Sequence, residues 1–148
     1  MQIKFELQPL IGVANLKFGM FREECRILMK DTFSVKLTNK RVDCYYDAAF
    51  QIFFDEEEKI ELIEISRDEN IKAIFMGKNV LEVAASDLIK EISQYFVIDE
   101  SDKEFGYSFI FPEIELNFWR PIIPENETDE DGKYFSTVGI GRKGYFSN

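Results

Sequence analysis

The sequence predicts an α+β fold: a single domain over 1–148, built as a twisted, mostly antiparallel sheet with about two helices packed on it. Three observations carry this reading. Fifteen phenylalanines, six tyrosines and one tryptophan stand in a chain that is 45% hydrophobic, and aromatic and β-branched residues favour strands. Short stretches of alternating apolar and polar residues are separated by turn residues. Only two stretches carry the 3-and-4 apolar spacing of a helix. A chain of 148 residues is the usual size for one domain and buries a sizeable core without disulfides or metals.

In order, Met1–Leu7 alternates as a first strand that ends at Pro9. After Gly19, the residues Met20, Phe21, Glu24, Ile27 and Leu28 predict a helix near 20–30 that lays Phe21, Ile27 and Leu28 on the sheet and exposes Arg22, Glu23 and Arg26. Residues 32–37 and 42–46 read as extended, with turn chemistry at Thr38-Asn39-Lys40. The run 48–54, the acidic turn Asp55-Glu56-Glu57-Glu58 and the return strand 59–66 form a hairpin. Ile60 and Leu62 share one face of that return strand while Ile63 and Ile65 share the other, so it is central and covered on both faces for part of its length. Residues 71–76 make another strand. Ser86-Asp87 supplies an N-cap for a helix near 86–96 with Leu88, Ile89, Ile92, Tyr95 and Phe96 on one stripe. Tyr107–Phe111 and Ile114–Arg120 flank Pro112-Glu113, where proline cannot donate a ladder hydrogen bond, and read as a second hairpin. Residues 133–140 close the chain as a final strand.

There are 28 acidic and 18 basic residues and no histidine, a formal charge of -10. Such a field repels nucleic acid and anionic lipid and attracts basic proteins, although solubility alone also explains it. The N-terminus lacks the features of a secretion signal and no apolar run approaches the ~20 residues that span a membrane, so a cytoplasmic location is expected. Cys25 and Cys44 are read as free thiols. The absence of histidine excludes histidine-based triads and ordinary zinc sites. Glu113 and Glu115, two apart on a strand, have the spacing of a paired-carboxylate site, but an ordinary solvated strand face looks the same. The run Glu127-Thr128-Asp129-Glu130-Asp131-Gly132 begins like a calcium loop, but its twelfth position is Val138 and no helices flank it. Gly139, Gly141 and Gly144 sit too near the C-terminus to open a nucleotide-binding helix, and read as a tight bend after a strand. No cofactor, metal or catalytic residue is assigned.

Three acid clusters remain as candidate recognition surfaces, each also readable as a solvated turn: Asp55, Glu56, Glu57 and Glu58 on a hairpin tip; Asp99, Glu100 and Asp102 with Glu104; and Glu125, Glu127, Asp129, Glu130 and Asp131 on a long loop. Lys17-Phe18-Gly19-Met20 before a helix with Glu23-Glu24, Gly106–Glu113 followed by Phe118-Trp119-Arg120-Pro121, and the terminal Val138–Tyr145 together resemble a group of small bacterial cytosolic proteins. Members of that group act as immunity proteins beside polymorphic or contact-dependent growth inhibition toxins. The resemblance covers roughly a third of the chain. It implies stoichiometric binding and neutralisation of a toxin domain, often a basic nuclease, without catalysis. In that picture Tyr107, Trp119 and Tyr145 are core or rim residues, and the three acid clusters are the expected contacts. The competing readings are a carboxylate- or metal-dependent enzyme, whose acids would converge in a pocket, and a housekeeping acidic protein-binding module.

Overall fold

Alternation sets the strands, and turns rich in glycine and acid set their ends. The structure, a computed structural model, describes residues 2–29, 37–38 and 40–147. In chain order its elements are β1 (Ile3–Gln8), β2 (Gly12–Val13), β3 (Leu16–Lys17), α1 (Arg22–Met29), β4 (Leu37–Thr38), β5 (Val42–Tyr45), β6 (Phe50–Phe54), β7 (Ile60–Ser66), β8 (Ile71–Phe75), β9 (Lys78–Asn79), α2 (Ala85–Ile92), β10 (Ser108–Phe111), β11 (Leu116–Trp119) and β12 (Thr137–Gly141). Of the strand expected over 32–37, residues 32–36 lie outside the described residues.

The strands form two sheets. One has the order β3-β2-β1-β8-β9, the other β10-β11-β12-β7-β6-β5-β4. Every pairing is antiparallel except β1 with β8, where Ile3 stands opposite Ile71 and Phe5 opposite Ala73. In β1, Phe5 and Leu7 are buried and Lys4 and Glu6 exposed, as alternation requires. Strand β7 lies between β6 and β12, and its two apolar faces follow from that central place. Phe5 of the first sheet meets Phe50 of the second with ring centroids 4.4 Å apart. A second aromatic group joins Phe118 to Phe135 at 5.4 Å and Phe109 to Phe135 at 5.5 Å. Both belong to one hydrophobic cluster that also takes in Ala85, Leu88 and Ile92 of α2 and Cys25 and Met29 of α1. Among the described residues no helix is long and apolar enough to cross a membrane.

Four local expectations change. Helix α1 is turned round: Arg22, Cys25 and Met29 are buried, whereas Phe21, Ile27 and Leu28 are exposed. The cause is Asp43, fully buried on β5. Its Oδ1 accepts from Arg22 Nη2 at 2.7 Å and Arg26 Nη2 at 2.8 Å, and its Oδ2 accepts from Arg26 Nε at 2.8 Å. A carboxylate buried without cations is far costlier than a few exposed apolar side chains, so Arg22 turns inward, while Arg26 and Glu23 stay exposed as expected and Arg26 reaches Asp43 from the outside. Helix α2 starts at Ala85 after Ala84 with no side-chain cap, which places Ser86 and Asp87 inside the first turn. It ends at Ile92, and Tyr95 stands exposed beyond it.

The β10–β11 connection is a 3-10 turn over Pro112–Ile114, so Ile114 belongs to the turn and not to the strand. Glu115 follows with φ 51° and is 1% exposed, not solvated. Its carboxylate accepts from the backbone amides of Gly144, Phe146 (2.8 Å) and Ser147 (3.1 Å) and from the Ser147 hydroxyl (2.7 Å). The acid thus ties down the C-terminal segment, and the bend expected from the late glycines is the turn whose amides it binds.

Candidate functional site

The hairpin tip between β6 and β7 carries the first acid cluster, and each of its four acids already faces a cation of the same chain. Asp55 Oδ1 accepts from the amides of Glu57 (2.8 Å) and Lys59 (3.0 Å), which closes the turn, and its Oδ2 accepts from Arg142 Nη1 at 2.6 Å. Burial by itself would raise the Asp55 pKa; the Lys59 amide, Arg142 and the Glu57 amide outweigh it and hold the carboxyl below its usual range. Glu58 has φ 64° and lies 3.4 Å from Arg22. Glu56 lies 3.4 Å from Arg41 and Glu57 3.7 Å from Lys59. Such exposed pairs are weak, but they reduce the cluster's pull on an outside cation.

The other two clusters lie elsewhere. Along β12, Gly141 stands opposite Leu62 near the Asp55–Glu58 tip, and Thr137 stands opposite both Ser66 and Trp119. Trp119 and the loops beside it therefore occupy the opposite end of the sheet from that tip. Asp99 is placed beside β10 by its amide, which donates to the Ile110 carbonyl. Its carboxylate accepts from the Ser101 hydroxyl and amide, bonds that keep it ionised below the usual range. Glu100 is exposed and Asp102 half-buried, and the Asp102 carbonyl accepts from Phe105 in the turn that returns to β10.

The long loop is built from side-chain turns. Asn126 Oδ1 accepts from Thr128, Asp129 Oδ1 accepts from the Asp131 amide, and Asp129 Oδ2 accepts from the Glu125 amide. Glu125, Glu127, Glu130 and Asp131 are exposed, with Glu130 3.7 Å from Lys133.

Arg120 holds these two loops together. It is 9% exposed; Nε donates to the Gly106 carbonyl at 2.8 Å and Nη1 to the Gly132 carbonyl at 3.0 Å. Gly132 has φ 77°, and a Cβ there would lie 2.1 Å from the Ile122 carbonyl oxygen, so only glycine closes the long loop this tightly. Next to this knot Phe105, Tyr107, Trp119, Ile122 and Ile123 are all exposed. The long acidic loop and these exposed apolar side chains lie at one end of the sheet, and the Asp99 segment runs toward it alongside β10.

No family model, curated protein or solved structure matches the chain. Function must be read from the surface itself. Among the described residues no group of three or more Cys, Asp or Glu side chains is placed to hold a metal ion. Cys25 and Cys44 are both free and buried. Burial, with Glu24 and Asp43 adding to it, pushes the Cys25 thiol up to about 12, and burial also raises Cys44, so neither is a ready nucleophile. Glu113 is exposed and Glu115 buried in its backbone nest, so the two glutamates do not address one substrate.

Sequence reading missed the roles of Arg120 and Asp43 and placed Glu115 on a solvated strand face, where the structure buries it. The proline after Arg120 and the unusual i, i+4 arginine pair at 22 and 26 were the only local signals.

Proposed function

We propose that the chain is an immunity-type protein that binds a basic toxin domain, such as a nuclease, one to one in the bacterial cytoplasm and neutralises it without catalysis. The observation that carries this reading is the exposed group Tyr107, Trp119, Ile122 and Ile123, flanked by the acidic loops 99–104 and 125–131. Protein interfaces place aromatic anchors in the middle and charged groups at the rim. The rim acids steer a basic partner inward and select it, and the aromatic centre supplies most of the affinity. A surface of carboxylates is also the charge pattern that a nuclease accepts in phosphate. Asp55–Glu58, at the far end and paired internally, plays the lesser part.

The test is capture from native extract by the tagged chain at low and high salt, followed by co-expression with the captured protein. Retention of one basic polypeptide at equal stoichiometry, whose toxicity the chain abolishes, is the expected result. Trp119→Ala is expected to weaken that complex by about 2 kcal/mol or more, as aromatic hot spots do, with no change in melting temperature. Full affinity in Trp119→Ala together with full affinity after Glu127→Lys and Asp131→Lys would place the interface elsewhere.

A further inference from the structure

We propose that the cleft between α2 and the long loop binds a small zwitterion of the amino-acid kind, with its carboxylate on Arg120 and its ammonium group at Asp87 and Glu127. The cleft encloses about 540 Å³ and is lined by Ser86, Asp87, Arg120, Glu127, Asp129 and Lys133. That volume falls within the roughly 300–1,000 Å³ of small-molecule sites.

Arg120 sets the chemistry of its floor. The side chain is 9% exposed and has no ion-pair partner among the described residues. Two of its nitrogens donate to carbonyl oxygens, and Nη2 has no hydrogen-bond partner among the described residues. The guanidinium lies 5.3 Å from the Phe109 ring centroid and 5.8 Å from that of Phe135, which hold its plane. A desolvated cation of fixed orientation with one nitrogen unused and no counter-ion is completed by a carboxylate. The N-terminus of α2 lies beside it: Ala84, Ser86 and Asp87 line the cleft and no side chain caps the helix, while the Ala85 amide donates to the Lys133 carbonyl at 2.7 Å.

The rim has the opposite sign. Asp87 and Glu127 are exposed and have no ion-pair partner among the described residues, whereas Asp129 is occupied by two backbone amides and Lys133 lies 3.7 Å from Glu130. A simple anion would meet repulsion there and a simple cation would meet Arg120. A molecule with both charges satisfies floor and rim. A free amino acid and a polypeptide ending in lysine share this chemistry. The assignment does not rest on the toxin reading, although Ile123 and Glu127 line the cleft and also belong to the surface proposed for the toxin.

Titration of the 15N-labelled full chain with L-lysine, with acetyl-glycyl-L-lysine and with acetyl-L-lysinamide, which lacks the carboxylate, tests the assignment. Saturable shifts at the amides of Ser86, Asp87, Asn126 and Glu127 are expected with one or both carboxylate probes and not with the amide. Binding of L-lysine alone assigns a free amino acid; binding of the dipeptide assigns a chain terminus. Arg120→Gln is expected to weaken binding by about tenfold or more, the loss of a charge-assisted contact. If that variant does not fold, Glu127→Gln on the exposed rim is expected to weaken it about two- to fivefold. No saturable shift with either carboxylate probe, or equal binding of acetyl-L-lysinamide, overturns the proposal.

Discussion

Asp43 is fully buried and accepts from two arginines of α1, with Arg22 also donating to the Lys40 carbonyl at 3.0 Å and lying over Phe54 at 5.0 Å. Removing one member of such a network leaves the others buried and uncompensated. Asp43→Asn is therefore expected to lower stability by about 3 kcal/mol or more, read from the urea midpoint; an unchanged midpoint would refute the role given to the pair. Glu64, on central β7, behaves in the opposite way. Burial raises its pKa above 4.5, so the folded state binds its proton more tightly than the unfolded chain does. Its contribution favours folding below the unfolded value and is lost as pH rises through the higher folded one. Glu64→Gln should accordingly melt above the wild type at pH 7, and the gap should close below about pH 4.5. A gap independent of pH would show that the carboxyl is not the cause.

The C-terminal segment is held as an element by one side chain. Glu115 gathers the amides of Gly144, Phe146 and Ser147, and Gly141 donates its own amide to the Glu115 carbonyl at 2.9 Å. Its left-handed backbone, φ 51°, turns it away from the strand face that alternation assigns to it. Glu115→Ala is expected to cost about 1–3 kcal/mol, the penalty for donors left without partners, and to speed hydrogen exchange at residues 144–147 while the amides of β7 stay protected. Uniform exchange across both regions would argue against a local latch. At this scale the hairpins were legible: the acidic turn at 55–58 and Pro112-Glu113 both join antiparallel strands. The facing of α1 was not, because apolar periodicity cannot register a carboxylate 21 residues away that draws Arg22 inward.

Across the whole molecule a single core crosses both sheets, through Phe5 and Phe50 on one side and Phe118 and Phe135 on the other. One cooperative transition is expected, with Trp119 fluorescence and far-ultraviolet circular dichroism changing together; separate midpoints would divide the fold into independently melting parts. The charge of -10 acts at this scale too. Association with a basic partner is expected to slow steeply between low and physiological salt while dissociation changes little. The three acid clusters contribute unequally to that field, since Asp55–Glu58 is matched by Arg22, Arg41, Lys59 and Arg142.

The sequence by itself determined the α+β class, the central place of residues 60–66, the two hairpins and the acidic surface. Those features follow from local alternation, turn chemistry and net charge, which need no knowledge of distant neighbours. Only the tertiary structure decided which face of α1 is buried, where Glu115 points and why the loops at 99–107 and 122–132 share one end of the sheet. Each of these rests on a polar group whose burial depends on a partner far along the chain: Asp43 on Arg22 and Arg26, Glu115 on residues 144–147, Arg120 on Gly106 and Gly132. A hydrophobicity pattern records how apolar a position is, and a charged residue satisfied inside the fold has the same local signature as one in water.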